Sequence, residues 1–182
     1  MISYHSDFLQ AACKRDFKEK EENRIRLPYD DPATFALFVE WMYYGDYTMP
    51  LSKTFTPNDT STMSPHAMCH VLSDKLLSTA FRNTAMSRPH EQHNPGSRLS
   101  TPITTHDARY VWNNTATGSK LRQFYLDFLA QYFANPARLK GSAEEWDALL
   151  LEYSDARLIL LKSMRAAFAQ PVCVKAEREY LG

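Results

Sequence analysis

Three small groups of residues carry functional side chains at spacings that could support chemistry. His66 and His70 stand four residues apart with Cys69 beside His70, and on a helix that spacing can present two imidazoles to one metal ion. No convincing third ligand follows, so the pair reads better as surface histidines. His90-Glu91-Gln92-His93 is one residue short of the HExxH spacing and is not expected to put both imidazoles on one helical face, and both histidines fall in a proline-rich stretch with no fixed relation to the 66–70 helix. Asp30 and Asp31 resemble paired carboxylates, yet they directly precede Pro32, where capping of a helix start accounts for them. No Cys/His or Ser/His pairing stands in a recognisable elbow, and the glycines form neither a phosphate loop nor a dinucleotide fingerprint. The chain therefore reads as non-catalytic, with no cofactor and no metal.

The elements that would position these residues are mostly helical. The chain is organised around Arg24 to Gly45, where the alternating run Ile25-Arg26-Leu27 reads as a short strand closed by Pro28. Asp31 and Pro32 then give a helix start, and Gly45 gives its stop. Within that helix Phe35, Phe38, Val39 and Met42 make one apolar stripe, and Leu37, Trp41 and Tyr44 make a second, so it needs cover on two faces. A short helix over residues 3 to 13 precedes it, separated by a mixed-charge run from Lys14 to Arg24 in which Phe17 is the one large apolar residue. Residues 46 to 63 read as a loop. Ser64-Pro65 starts a helix to about residue 77, and a second short helix ends near Arg88-Pro89.

Residues 89 to 103 form the clearest linker, dividing a 1–88 domain from a helical extension over 104–182. In that extension Thr104 or Thr105 caps a helix with Asp107 in the capping-box position, and Ala108, Val111 and Trp112 form its apolar face. Leu121, Phe124, Tyr125, Phe128, Leu129 and Tyr132 give the cleanest helical period in the chain, ended by Asn135-Pro136. Ser142 and Glu145 make a further capping box ahead of Trp146, Leu149, Leu150 and Tyr153. A last helix from Ser154-Asp155 would carry Leu158, Leu161, Met164 and Phe168.

Composition bounds the function more than it identifies it. The chain has 182 residues with 21 basic and 21 acidic side chains, so no net field draws it to nucleic acid or to an anionic membrane. No apolar run reaches membrane-spanning length and no secretory leader is visible, which leads to an expected location in the cytoplasm or nucleus. Cys13, Cys69 and Cys173 are odd in number and lack any CxxC pair, consistent with reduced, mostly buried thiols.

The order of motifs resembles the BTB/POZ domain, in the form common in filamentous-fungal proteins. The resemblance is carried by His5 to Cys13, by Phe17-Lys18-Glu19, by Arg24 to Tyr47 with the helix ending Trp41-Met42-Tyr43-Tyr44-Gly45, and by Val71 to Leu76 with Phe81 to Met86. Tyr110 to Thr115 and Gly118 to Arg122 are similar to the tail of the same proteins, so the resemblance covers roughly residues 3 to 134. It implies a protein-interaction fold whose partners are other proteins, either a second BTB protein or, in the adaptor form, a cullin of a ubiquitin ligase. Phe17-Lys18-Glu19 matches the apolar-x-Glu element that helps such adaptors bind a cullin, and Phe17, Glu19, Tyr44 and Tyr47 are the candidate partner-binding residues.

One departure from the family pattern matters. A full BTB domain has two strands, a helix and a third strand before the helix that starts here near Ser3. Without them ordinary BTB homodimerisation is in doubt, the strand at 25–27 has no ladder partner, and one face of the central helix is open to water. The expectation is a truncated gene model, an exon-skipped form or a degenerate copy of marginal stability. The fold class that follows is mostly α, the remnant of an α+β domain: a helical bundle with at most a minimal sheet, plus C-terminal helices.

Overall fold

The computed structural model describes residues 2–14, 27, 30–48, 63–93, 101–166 and 174–181. They form a mostly α-helical protein with one minimal two-stranded sheet. They divide into two compact units, one holding described residues up to 48 together with 65–86, the other holding 63–64, 87–93, 101–166 and 174–181.

The first unit contains α1 (Ile2–His5), α2 (Asp7–Lys14), α3 (Pro32–Tyr44), α4 (Pro65–Lys75) and the start of α5 (Thr79–His93). The single helix expected over residues 3 to 13 is two, and Ser6 is the reason. Its hydroxyl accepts the Leu9 N–H at 3.1 Å, capping α2, and donates to the Leu76 carbonyl at 2.5 Å, just beyond the end of α4. The limits of α3 are the ones its sequence encodes. The Asp31 carboxylate accepts from the Thr34 N–H at 2.9 Å, Pro32 occupies the first turn, and Gly45 takes φ +73° while its N–H reaches the Trp41 carbonyl.

Leu37, Phe38, Trp41 and Met42 bury the inner side of α3, with Phe35 and Val39 half-buried against the same cluster. Phe38 and Trp41 both pack on Phe81 of α5, at ring separations of 5.1 and 5.2 Å, and the Trp41 indole N–H donates to the Thr84 hydroxyl at 3.0 Å. Each large side chain so buried contributes about 1.5–3 kcal/mol. Tyr44, expected to extend the second stripe, is instead 82% exposed.

Helix α4 ends at Lys75, short of the expected residue 77, in a Schellman turn: the Leu77 N–H reaches the Asp74 carbonyl and the Ser78 N–H the Ser73 carbonyl. Leu77 itself occupies the left-handed region at φ +52°. The expected helix stop at Arg88-Pro89 does not occur, since α5 runs through a buried Pro89 to His93. A proline inside a helix forfeits its own N–H bond, here to the Ala85 carbonyl, and burial of the ring offsets that loss. Residues 89–93 of the expected linker are therefore helical, and its last residue, Ile103, begins a strand. Ile25 and Arg26 of the expected strand lie outside the described residues, as does the mixed-charge run from residue 15 to 24.

The sheet belongs to the second unit. There β1 (Ile103–Thr104) pairs in parallel with β2 (Leu139–Lys140); α6 (Thr105–Asn114), which follows β1 directly, packs on α7 (Lys120–Tyr132) and α8 (Ala143–Glu152), and α9 (Ser154–Ala166) packs on the same two helices, followed by a 3₁₀ turn at Glu177–Glu179. Both capping boxes form as their spacing requires, Thr104 with Asp107 and Ser142 with Glu145. Leu121, Phe124, Tyr125, Phe128 and Leu129 of α7 are all buried. Asp155 ties three helices together: it accepts from the Trp112 indole N–H at 3.1 Å and from the Arg122 guanidinium at 2.9 Å. Burial alone would raise its carboxyl, but those two donors outweigh that and hold it below the usual carboxylate range.

Helix α9 turns the opposite face inward from the one its strongest apolar stripe suggests. Ala156, Leu160 and Ser163 are buried, while Leu158, Leu161 and Met164 are more than half exposed. The physical reason lies at the helix start, where Asp155 is held by Trp112 and Arg122 and so fixes the rotation of everything after it. Phe168 lies outside the described residues.

Candidate functional site

Of the four residues expected to meet a partner, Phe17 and Glu19 lie outside the described residues. Tyr44 is on the surface beside Tyr43, their rings 6.5 Å apart, at the exposed end of α3. Tyr47 is 3% exposed, and its hydroxyl sits 2.9 Å from Nδ1 of His66, so the ring packs inside the first unit rather than facing outward.

His66 and His70 are not surface histidines. Both are buried on α4, along with Cys69 between them. The helix carries its buried residues almost continuously from Pro65 to Ser73, and so admits polar side chains only where they can be kept neutral. Burial pushes the Cys69 thiol up to about 12, against a hydrogen bond with Tyr47 and reinforced by the Asp31 charge. Burial likewise lowers His70 to about 4, outweighing the Asp74 carboxylate and assisted by Arg82. A neutral imidazole makes the 3.8 Å approach of His70 to Asp74 a polar contact rather than an ion pair. The cluster is thus a protonated thiol, a neutral imidazole and a tyrosine-bound imidazole, and among the described residues no group of three potential ligands could hold a metal ion. Asp30 pairs with Lys75 at 2.6 Å and Asp31 caps α3, so neither carboxylate faces a shared proton.

The second unit brings together a pair that sequence spacing separates. His90 and His93 line one cavity of about 200 Å³ with Phe124, Phe128, Gln131 and Tyr132 of α7. Residues three apart on a helix differ by about 60° in direction, so both imidazoles reach the same neighbour although neither spacing nor motif suits a zinc protease. The signal in the sequence was the aromatic period of α7, which demands a facing helix. The proline at position 89 obscured that α5 continues far enough to supply it.

The same unit exposes an apolar strip. Leu158, Leu161 and Met164 on α9 face solvent, with basic Arg157, Lys162 and Arg165 exposed on the same helix. No described helix is long and apolar enough to cross a membrane. No family model, no curated protein and no solved structure matches the chain.

Proposed function

We propose that this chain is a non-catalytic protein-interaction module of the BTB/POZ type, whose adaptor form docks a cullin through Phe17-Lys18-Glu19. The observation that supports it is the apolar strip on α9: three large side chains on one helix face, each more than half exposed, form a patch of the kind proteins use against other proteins. The buried Cys69 adds to that reading, because burial holds its thiol protonated and so keeps it from acting as a nucleophilic thiolate.

Titration of the purified chain against isolated BTB domains and cullin N-terminal domains tests the proposal. Binding abolished by Phe17→Ala supports the adaptor form. Binding that survives Phe17→Ala but is lost in Leu158→Glu/Leu161→Glu supports an interaction module that uses α9. A chain that binds neither class and sediments as a monomer overturns the module reading.

A further inference from the structure

Helices α8 and α9, joined through Tyr153 alone, expose faces of opposite charge. On α9 the exposed residues Leu158, Leu161, Lys162 and Arg165 fall at i, i+3, i+4 and i+7, so one helix face carries two leucines followed by two cations. On α8 the exposed residues Glu144, Asp147, Ala148 and Leu151 fall at the same four positions, with the acids first and the leucine last. Leu151, Leu158 and Leu161 are each more than half exposed. Exposed side chains also continue across the corner between the helices, from Leu151 and Glu152 to Ser154 and Arg157.

The charges on these two faces are not matched within the chain. Among the described residues neither Lys162 nor Arg165 pairs with a carboxylate, and neither Glu144 nor Asp147 pairs with a cation. The other acids of the two helices are engaged: Glu152 with Arg109 at 3.2 Å, Asp155 with Arg122 at 2.9 Å, and Glu145 with the Ser142 N–H of the cap. An anionic lipid surface or a uniformly acidic partner would suit α9 but meet like charge on α8, and like charges brought together oppose binding. A surface that carries acids, cations and exposed leucines in the complementary order suits both helices. This chain itself carries one.

We infer that the exposed faces of α8 and α9 form a contact surface for a second copy of this chain, with α8 of one copy lying antiparallel against α9 of the other. In that direction the two patterns match position by position: Glu144 meets Arg165, Asp147 meets Lys162, Ala148 meets Leu161 and Leu151 meets Leu158. In the parallel direction the acids of α8 would face the leucines of α9, and the charges would go unmatched. A two-fold axis that sets α9 of one copy on α8 of its partner also sets the converse, so each contact is made twice. Each matched stretch is only about 11 Å long, which keeps the interface well below the ~800 Å² per partner of a standard complex, so the association is weak and reversible. The inference rests on the reading of the α9 strip as a protein-docking surface and names its partner.

Sedimentation of the full chain from about 10 µM to about 1 mM, the range suited to a small interface, tests it. The expected result is a monomer–dimer equilibrium that Lys162→Glu/Arg165→Glu and Glu144→Lys/Asp147→Lys each weaken at least about tenfold. An equimolar mixture of the two variants should recover the dimer, because each reversed face then finds its opposite. Where a variant fails to fold, carbodiimide cross-linking of a mixture of isotope-labelled and unlabelled wild-type chains decides, with Lys162 of one chain expected to link to Glu144 or Asp147 of the other. A chain that stays monomeric throughout, a dimer indifferent to both reversals, or a mixture that associates no better than its components overturns the inference. A monomer that binds phosphatidylserine vesicles through α9 overturns it in favour of lipid. A monomer that binds BTB or cullin domains, and loses them in Leu158→Glu/Leu161→Glu, overturns it while leaving the interaction-module reading in place.

Discussion

Leu77 shows how a single residue can hold a conformation that its chemistry disfavours. The Schellman turn after α4 requires a left-handed residue at that position, and the φ of +52° puts a β-carbon where glycine has none. Its side chain is 60% exposed, so little burial compensates. Leu77→Gly is therefore expected to stabilise the first unit by about 0.5–1 kcal/mol, net of the extra freedom glycine has when unfolded, read as a rise in the urea midpoint at constant slope. The contrast with Gly45 is instructive. There the same conformation is met by the residue suited to it, and that helix end is readable from the sequence while the end of α4 is not.

At the scale of elements, α9 is where periodicity misleads. Leu158, Leu161 and Met164 form the better apolar stripe, yet the helix buries Ala156, Leu160 and Ser163. A hydrophobic period identifies a helix but not which face finds a neighbour, and here the polar anchor at Asp155 makes that choice. The two faces make a direct test. Leu160→Ala should destabilise by about 2–5 kcal/mol through the lost burial and the cavity left behind, whereas Leu161→Ala should change stability by less than about 0.5 kcal/mol. Equal effects in chemical denaturation would show that the helix is rotated from the orientation described.

Each unit contains a buried histidine that burial keeps neutral, His70 in the first and His93 in the second, and this links the stability of each unit to acid. In the unfolded chain such a side chain protonates near pH 6.5, whereas in the folded one it resists until about 4. Between those values the unfolded state binds more protons, so stability falls as pH falls, by up to about 1.4 kcal/mol per pH unit for each histidine. Asp107 acts in the opposite sense, because burial raises its carboxyl against the hydrogen bonds from Ser64 and Thr104. The histidine contribution is accordingly read as a difference: His93→Gln should flatten the dependence of the urea midpoint on pH between 6.5 and 4 relative to wild type. An unchanged slope would mean that His93 is not held neutral by the fold. What the sequence determined by itself is local. The caps at Asp31, Thr104 and Ser142, the stop at Gly45 and the aromatic stripe of α7 depend on contacts within a turn or two, so residue types a few positions apart suffice to specify them. Tertiary structure decided the rest: that α5 passes through Pro89, that Ile103 pairs with Leu139, that α9 turns its leucine stripe outward and that His90 and His93 share a cavity with α7. Each of these depends on which distant surface a segment meets, and the free energy of burying one face against another outweighs the fraction of a kilocalorie by which local preference would have chosen differently.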